Sequence, residues 1–237
     1  MKKLLFIGSS GFVGKSFNDY FKKKKIFRII NYSRTQKKNI IDTSKLPRSD
    51  FIIYCINNKN IKISLKYFFH FKKLLYKNKK KYAKEKYLLE EEFKKIAKDG
   101  YKVSIARGFT FYGKHILNYD YLISKLILAV KSRKIFKIKN SNTIRSYMHA
   151  DDMCRWLIKI LTISSTECPV VNLGSDKIID LKKLAYLLNK SFKAKIQVTK
   201  NASKKIDYYI PSIKFAHKYL KLRNTVNFNN AISLLIK

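Results

Sequence analysis

The chain has 237 residues, 46% of them apolar, enough to bury a sizeable core as one large domain or two small ones, which excludes a disordered chain. Its formal net charge of +38 comes from 53 Lys and Arg against 15 Asp and Glu, a balance that draws anionic ligands and weakens with salt. The lysines are spread through nearly every segment, so solvated lysine faces account for most of the charge, and no specific nucleic-acid partner is expected.

Met1-Lys2-Lys3 before Leu4 to Ile7 mimics the start of a signal peptide, but the apolar run stops at Gly8, and no segment approaches membrane-spanning length. Leu4-Leu5-Phe6-Ile7 predicts a buried strand. Gly8, Gly11 and Gly14, three of only seven glycines, follow it directly and predict a sharp turn into a helix carrying Phe12, Val13, Phe17 and Tyr20 on one face. Such a turn lets backbone approach a phosphate, whose charge the helix N-terminus attracts. Residues 27–32 predict a second strand, 39–42 a third short one, and the continuous apolar run 51–56 a fourth, of the kind helices cover on both faces. Helices are expected over 61–77 and 80–98, then a buried strand over 101–106. Beyond Gly113 the pattern predicts a helix over 119–132, a strand at 135–136, a helix over 151–162, a strand over 170–173 and a helix over 180–190. Strands alternating with helices imply an α/β fold, doubly wound about a parallel sheet. Pro47, Pro169 and Pro211 all fall at element boundaries. Cys55, Cys154 and Cys168 lie far apart, with no CxxC and no His at metal spacing, so neither a disulfide framework nor a metal site is expected, and a cytoplasmic location fits.

Gly8-Ser9-Ser10-Gly11-Phe12-Val13-Gly14 resembles the GxxGFxG fingerprint of the extended short-chain dehydrogenases, the NAD(P)-dependent epimerase/dehydratase family acting on nucleotide sugars. Further segments resemble the family in order: Asp42 at its adenine-contacting position, Ile52 to Asn57 as its strand on the nicotinamide side, and Tyr82-Ala83-Lys84-Glu85-Lys86 as its YxxxK site. Ala106 to Gly113 resembles its RxFNxYG segment, Arg145 to Asp152 its R-x-[FY]-x-H-V-x-D segment, and Asn172 to Ser175 its NxGS turn. Tyr-x-x-x-Lys or Arg pairs should arise ~3.6 times by chance here. Position therefore selects Tyr82 and Lys86, which open the helix before the strand ending at Arg107.

The resemblance implies a Rossmann-like dinucleotide-binding domain over 1–113 and 148–175, with a small substrate-binding subdomain over 114–147 and 176–237. It implies that Gly8, Ser10, Gly11, Phe12, Val13, Gly14, Asp42, Cys55 and Ile56 bind the dinucleotide. Tyr82 and Lys86 become the catalytic pair, Lys86 lowering the phenol's pKa and holding the nicotinamide ribose, while Thr110 and Arg145 contact substrate, Arg145 at its diphosphate. The second strand ends without the carboxylate that holds an NAD ribose, and Ser33 with Arg34 suits a 2′-phosphate, which favours NADP over NAD. His149 is expected to support the fold, and Asp152 to cap the helix after it. Family members often dimerise through two helices, here 61–77 and 80–98, so a homodimer is the expected assembly.

The expected activity is that of a nucleotide-sugar epimerase/dehydratase-like oxidoreductase of surface-polysaccharide biosynthesis. Only 24 residues separate Asn57 from Tyr82, too few for the family's fifth strand and its catalytic Ser/Thr, so one central strand is expected to be lacking. Thr110 stands where the family has a substrate-contacting Asn, and Lys114 where it has Pro. The alternatives are an inactive or impaired NAD(P)-binding remnant of the same family and a basic nucleic-acid-binding protein.

Overall fold

The computed structural model describes residues 1–22, 24–33, 47–55, 79–118, 121–138, 142–199 and 206–237, with backbone alone for 79–86. The chain divides into two compact units, one of Met1–Ile105 with Ile160–Val170, the other of Ala106–Lys159 with Val171–Lys237.

In the first unit, β1 (Lys3–Ile7) leads through the glycine turn into α1 (Phe12–Phe21), followed by β2 (Arg28–Tyr32), β3 (Phe51–Tyr54) and α2 (Lys79–Lys98). β1 is central in a parallel sheet of order β2-β1-β3, with Ile7 level with both Tyr32 and Tyr54. That order follows from burial: Leu4, Leu5, Phe6 and Ile7 are essentially without solvent contact, while the flanking strands are only partly covered. Phe17 of α1 lies 5.0 Å from Phe6, ring to ring, and Phe21 lies 4.5 Å from Phe17. Asp50 fixes the start of the sheet, its carboxylate accepting from the Lys3 N–H at 2.7 Å.

The predicted strand 101–106 is shifted: β4 is Ile105–Gly108, and Tyr101 is exposed. Upstream of it Val103 pairs in an isolated antiparallel bridge with Ser165, each donating its N–H to the other's carbonyl at 2.9 and 3.1 Å, so its backbone groups are satisfied outside any strand.

After β4 come β5 (Phe111–Tyr112), a 3-10 turn at Lys114–Asn118, α3 (Leu122–Lys131), β6 (Ile135–Ile138), β7 (Thr143–Ser146), β8 (Met148–His149) and α4 (Ala150–Thr162). Then follow β9 (Val170–Leu173), β10 (Ile178–Asp180), α5 (Leu181–Phe192), β11 (Lys195–Val198), β12 (Asp207–Tyr209), α6 (Lys214–Tyr219) and α7 (Phe228–Ile236). β4 pairs with β9, β5 with β8, β6 with β11, and β7 lies between β10 and β12. The core of the second unit gathers Leu126, Ile127, Met148, Met153, Trp156 and Leu181, all essentially inaccessible.

Several expected elements fall outside the described residues: the strand at 39–42, the helix over 61–77, and the interval from Asn57 to the YxxxK helix in which a fifth strand is expected to be lacking. Asp152 is a correction. It sits inside α4 rather than ahead of it, and its buried carboxylate accepts from the Thr225 N–H at 2.9 Å, the Thr225 hydroxyl at 2.8 Å and the Val226 N–H at 3.1 Å, with Arg155 beside it. Instead of capping its helix, Asp152 binds down the segment that leads into α7, because four nearby donors outcompete the helix's own first-turn N–H groups.

Candidate functional site

In the first unit the site is built at the carboxyl ends of three parallel strands. β1 ends at Ile7, and Gly8 takes φ +94°, a left-handed conformation that glycine adopts without steric cost. The Gly8 N–H donates to the Tyr32 carbonyl at 2.9 Å and the Ser9 N–H to the same carbonyl at 3.4 Å, stitching the turn to the end of β2. The Gly11 N–H returns to the Gly8 carbonyl at 3.1 Å, closing the loop before α1 begins. Gly11 is the N-cap and brings no side-chain oxygen, and the first turn of α1 has no acidic residue, so nothing on this helix end opposes a bound anion.

Gly14 explains the third glycine. A Cβ placed there would lie 2.4 Å from the Ser9 Cα, 2.6 Å from the Ser9 carbonyl oxygen and 2.7 Å from the Gly8 carbonyl oxygen. The helix therefore presses onto the turn at a distance that only glycine allows. Asn18, one turn further on, donates its amide to the Gly14 carbonyl at 3.0 Å and to the Asn31 side-chain oxygen at 2.9 Å, tying α1 to β2. In the sequence Asn18 is marked only by its place one turn after the third glycine.

Gly8, Ser10, Gly11, Phe12, Val13 and Gly14 thus share one turn, with Ser33 just past β2 and Cys55 just past β3, where the Cys55 N–H donates to the Ile7 carbonyl at 2.8 Å. Arg34, Asp42 and Ile56 lie outside the described residues. Tyr82 and Lys86 lie one turn apart on α2, on the same helix face; their side chains are outside the described set.

In the second unit Thr110 is bound to the strand that carries Arg145. The Thr110 hydroxyl donates to the Ser146 carbonyl, and its own carbonyl accepts from the Met148 N–H at 3.0 Å. Arg145, largely covered, donates from Nη1 to the Ile144 carbonyl at 3.0 Å and the Asp207 carbonyl at 2.9 Å, and from Nη2 to the Asp207 carboxylate at 2.6 Å. Its guanidinium lies 5.7 Å from the Tyr209 ring centre, and Phe109 stands 5.1 Å from that ring. Nothing in the sequence marks Asp207 or Tyr209, since a short strand 62 residues away carries no sign of a partner for Arg145.

Beside them, Gly113 approaches Ala150 so closely that a Cβ would come within 2.8 Å of the alanine methyl. His149 packs edge-on against Tyr112, ring centres 5.1 Å apart, and its Nδ1 accepts from the Asp151 N–H at 3.2 Å. Burial lowers the His149 pKa from its ordinary 6.5, with Asp151 and Asp152 opposing the shift. Burial also pushes the Tyr147 phenol up to about 12, so it stays protonated at neutral pH. No cluster of metal-ligating side chains and no helix long and apolar enough to cross a membrane is present among the described residues.

Residues 70–174 match the model of the NAD dependent epimerase/dehydratase family. No curated protein sequence matches the chain. Among solved structures, RMD from Pseudomonas aeruginosa complexed with NADPH is 13% identical at a TM-score of 0.75, aligned over 100% of this chain and 97% of that one. The UDP-N-acetylglucosamine 4-epimerase of Bacillus cereus is 17% identical at a TM-score of 0.75, over 100% and 98%. WbmF from Bordetella bronchiseptica, in complex with NADH, is 14% identical at a TM-score of 0.78, over 99% and 90%. At these identities the likeness establishes the Rossmann-like α/β fold. A glycine turn at the carboxyl ends of a parallel sheet, that shared fold, and the match over 70–174 together make this chain similar to the NAD dependent epimerase/dehydratase family.

Proposed function

We propose that the chain is an NAD(P)-dependent, nucleotide-sugar epimerase/dehydratase-like oxidoreductase of surface-polysaccharide synthesis, working in the cytoplasm. The observation that carries this reading is the glycine turn, where Gly14 packs against the backbone of Ser9 and α1 begins without a side-chain cap. The residues present fit a dinucleotide: a pyrophosphate needs backbone approach, which the glycines allow, and N–H donors, which the first turn of α1 carries, the Gly8, Ser9 and Gly11 N–H groups being spent on holding the turn. A nicotinamide would supply hydride exchange with a sugar carbon. Ser33 and Arg34 would hold the adenosine ribose, and their hydroxyl and guanidinium favour its 2′-phosphate, hence NADP. Tyr82 takes the proton of the sugar hydroxyl as that carbon is oxidised, and Lys86, one turn away, lowers its pKa and holds the nicotinamide ribose. Arg145 pairs with the substrate diphosphate, with Thr110 alongside it in the second unit. Assembly as a homodimer completes the proposal.

The test is fluorescence titration with NADPH and NADH, followed by UDP-, dTDP-, CDP- and GDP-sugars with nicotinamide absorbance as the readout. Tyr82→Phe is expected to cut turnover by ~10²- to 10⁴-fold while leaving NADPH affinity within about twofold. Absence of dinucleotide binding in the wild-type protein refutes the proposal. Tight binding without turnover on any sugar establishes instead the inactive remnant, a reading favoured by the 24 residues between Asn57 and Tyr82.

A further inference from the structure

The three contacts that Arg145 makes with β12 and with its own strand are not equivalent. Both Nη1 hydrogens have backbone acceptors, the carbonyls of Ile144 and Asp207, while Nη2 spends one hydrogen on the Asp207 carboxylate at 2.6 Å. Asp207 therefore grips the end of the guanidinium. Nε–H and the other Nη2 hydrogen, which border the lateral edge, have no acceptor among the described residues, and Tyr209 lies 5.7 Å from the cation with Phe109 packed against that ring. A planar fork presents two edges suited to two oxygens each. Here one is filled from within and the other is left, on a side chain too covered to turn freely. The partly buried neighbourhood sharpens the point: Thr110 spends its hydroxyl on the Ser146 carbonyl, and the Ser146 hydroxyl is buried without a partner, so neither competes for Arg145.

We infer that Asp207 is a positioning residue, which clamps the end of the Arg145 guanidinium so that its lateral edge is aimed at the diphosphate of a nucleotide ligand. The inference rests on the reading of Arg145 as the diphosphate-binding residue. An Asp207 that merely competed with the ligand would have to be displaced on binding, and its removal would tighten affinity. A positioning Asp207 does the reverse: without it the guanidinium loses its orientation, and each ligand must order it afresh.

The experiment is calorimetric titration of wild type, Asp207→Asn, Asp207→Glu, Arg145→Ala and the Asp207→Asn/Arg145→Ala double variant with UDP, dTDP and GDP, using whichever binds most tightly. Thermal melts check that each variant is folded. Arg145→Ala is expected to weaken binding by ~100-fold and Asp207→Asn by ~10-fold, with Asp207→Glu recovering part of the loss. In the Arg145→Ala background, Asp207→Asn should have no further effect, whereas a purely structural role would add its cost in both backgrounds. If wild type binds no nucleoside diphosphate, or Arg145→Ala binds as wild type does, the reading of Arg145 falls and the inference with it. If Arg145→Ala weakens binding but Asp207→Asn leaves it unchanged or tighter, the inference alone falls.

Discussion

Replacing Gly14 by Ala tests the glycine turn with one methyl group. That methyl would lie 2.4 Å from the Ser9 Cα, against 3.4 Å for the near edge of ordinary contact, and the two other nearest atoms are carbonyl oxygens at 2.6 and 2.7 Å. All three are backbone, so no side chain can swing aside, and α1 must move away from the turn by about 1 Å. Overpacking of this kind costs ~3 kcal/mol at the upper end of its usual range. Alanine's better helix propensity returns ~1 kcal/mol, leaving a net loss of ~2 kcal/mol. The same displacement pulls the Gly8–Gly11 backbone out of register with a pyrophosphate, so NADPH affinity should fall at least ~10-fold, equivalent to ~1.4 kcal/mol. Urea denaturation reads the first quantity and NADPH fluorescence titration the second. Gly100→Ala is the control: Gly100 also has a positive φ, +93°, but nothing lies within 4 Å of its added Cβ. It should lose ~1 kcal/mol from backbone strain alone and bind NADPH as wild type does. A Gly14→Ala protein as stable and as tight-binding as wild type would refute the close approach of helix and turn.

Asp152→Ala removes the acceptor of two backbone N–H groups and one hydroxyl at Thr225 and Val226, and should cost ~3 kcal/mol in urea unfolding; a change below ~0.5 kcal/mol would show that the clasp does not hold the C-terminal segment. His149 binds its proton less readily in the fold than at its ordinary 6.5, because burial disfavours the cation and Nδ1 must stay unprotonated to accept from Asp151. The unfolded chain therefore takes up the proton first, so this contribution to stability is complete above pH 6.5 and is lost as pH falls through the lowered folded value. Melting temperature against pH should show that acid-side slope in wild type and a flatter one in His149→Asn; equal slopes would refute it.

The first strand, the glycine turn and α1 were legible because each is a continuous local pattern: four apolar residues, three glycines, then an amphipathic face. The run from Phe51 was legible for the same reason. β7, β10 and β12 were not, being three or four residues long and carrying Arg145, Asp180 and Asp207, whose charges break the alternation that announces a strand. Likewise β4 begins later than its apolar residues suggest, because Val103 finds its partner in Ser165 rather than in a strand. Of the candidate sites, the turn could be read from spacing. The grip of Asp207 on Arg145 could not, since an ion pair across 62 residues leaves no periodic mark in either segment. Asp152 shows the complementary failure: helix position suggested a cap, and the donors that claimed its carboxylate arrive from 73 and 74 residues away.

The Tyr32 carbonyl, which receives both the Gly8 and the Ser9 N–H, has a bearing on any attempt to redesign nucleotide preference. The residue immediately after it, Ser33, is the natural place to graft an acid that would select a free ribose hydroxyl. A graft that rotates the Tyr32 peptide even slightly would loosen two anchors of the turn proposed to receive the pyrophosphate. Selectivity and grip are mechanically geared to one another through a single oxygen atom, so a successful swap must leave that peptide plane where it is.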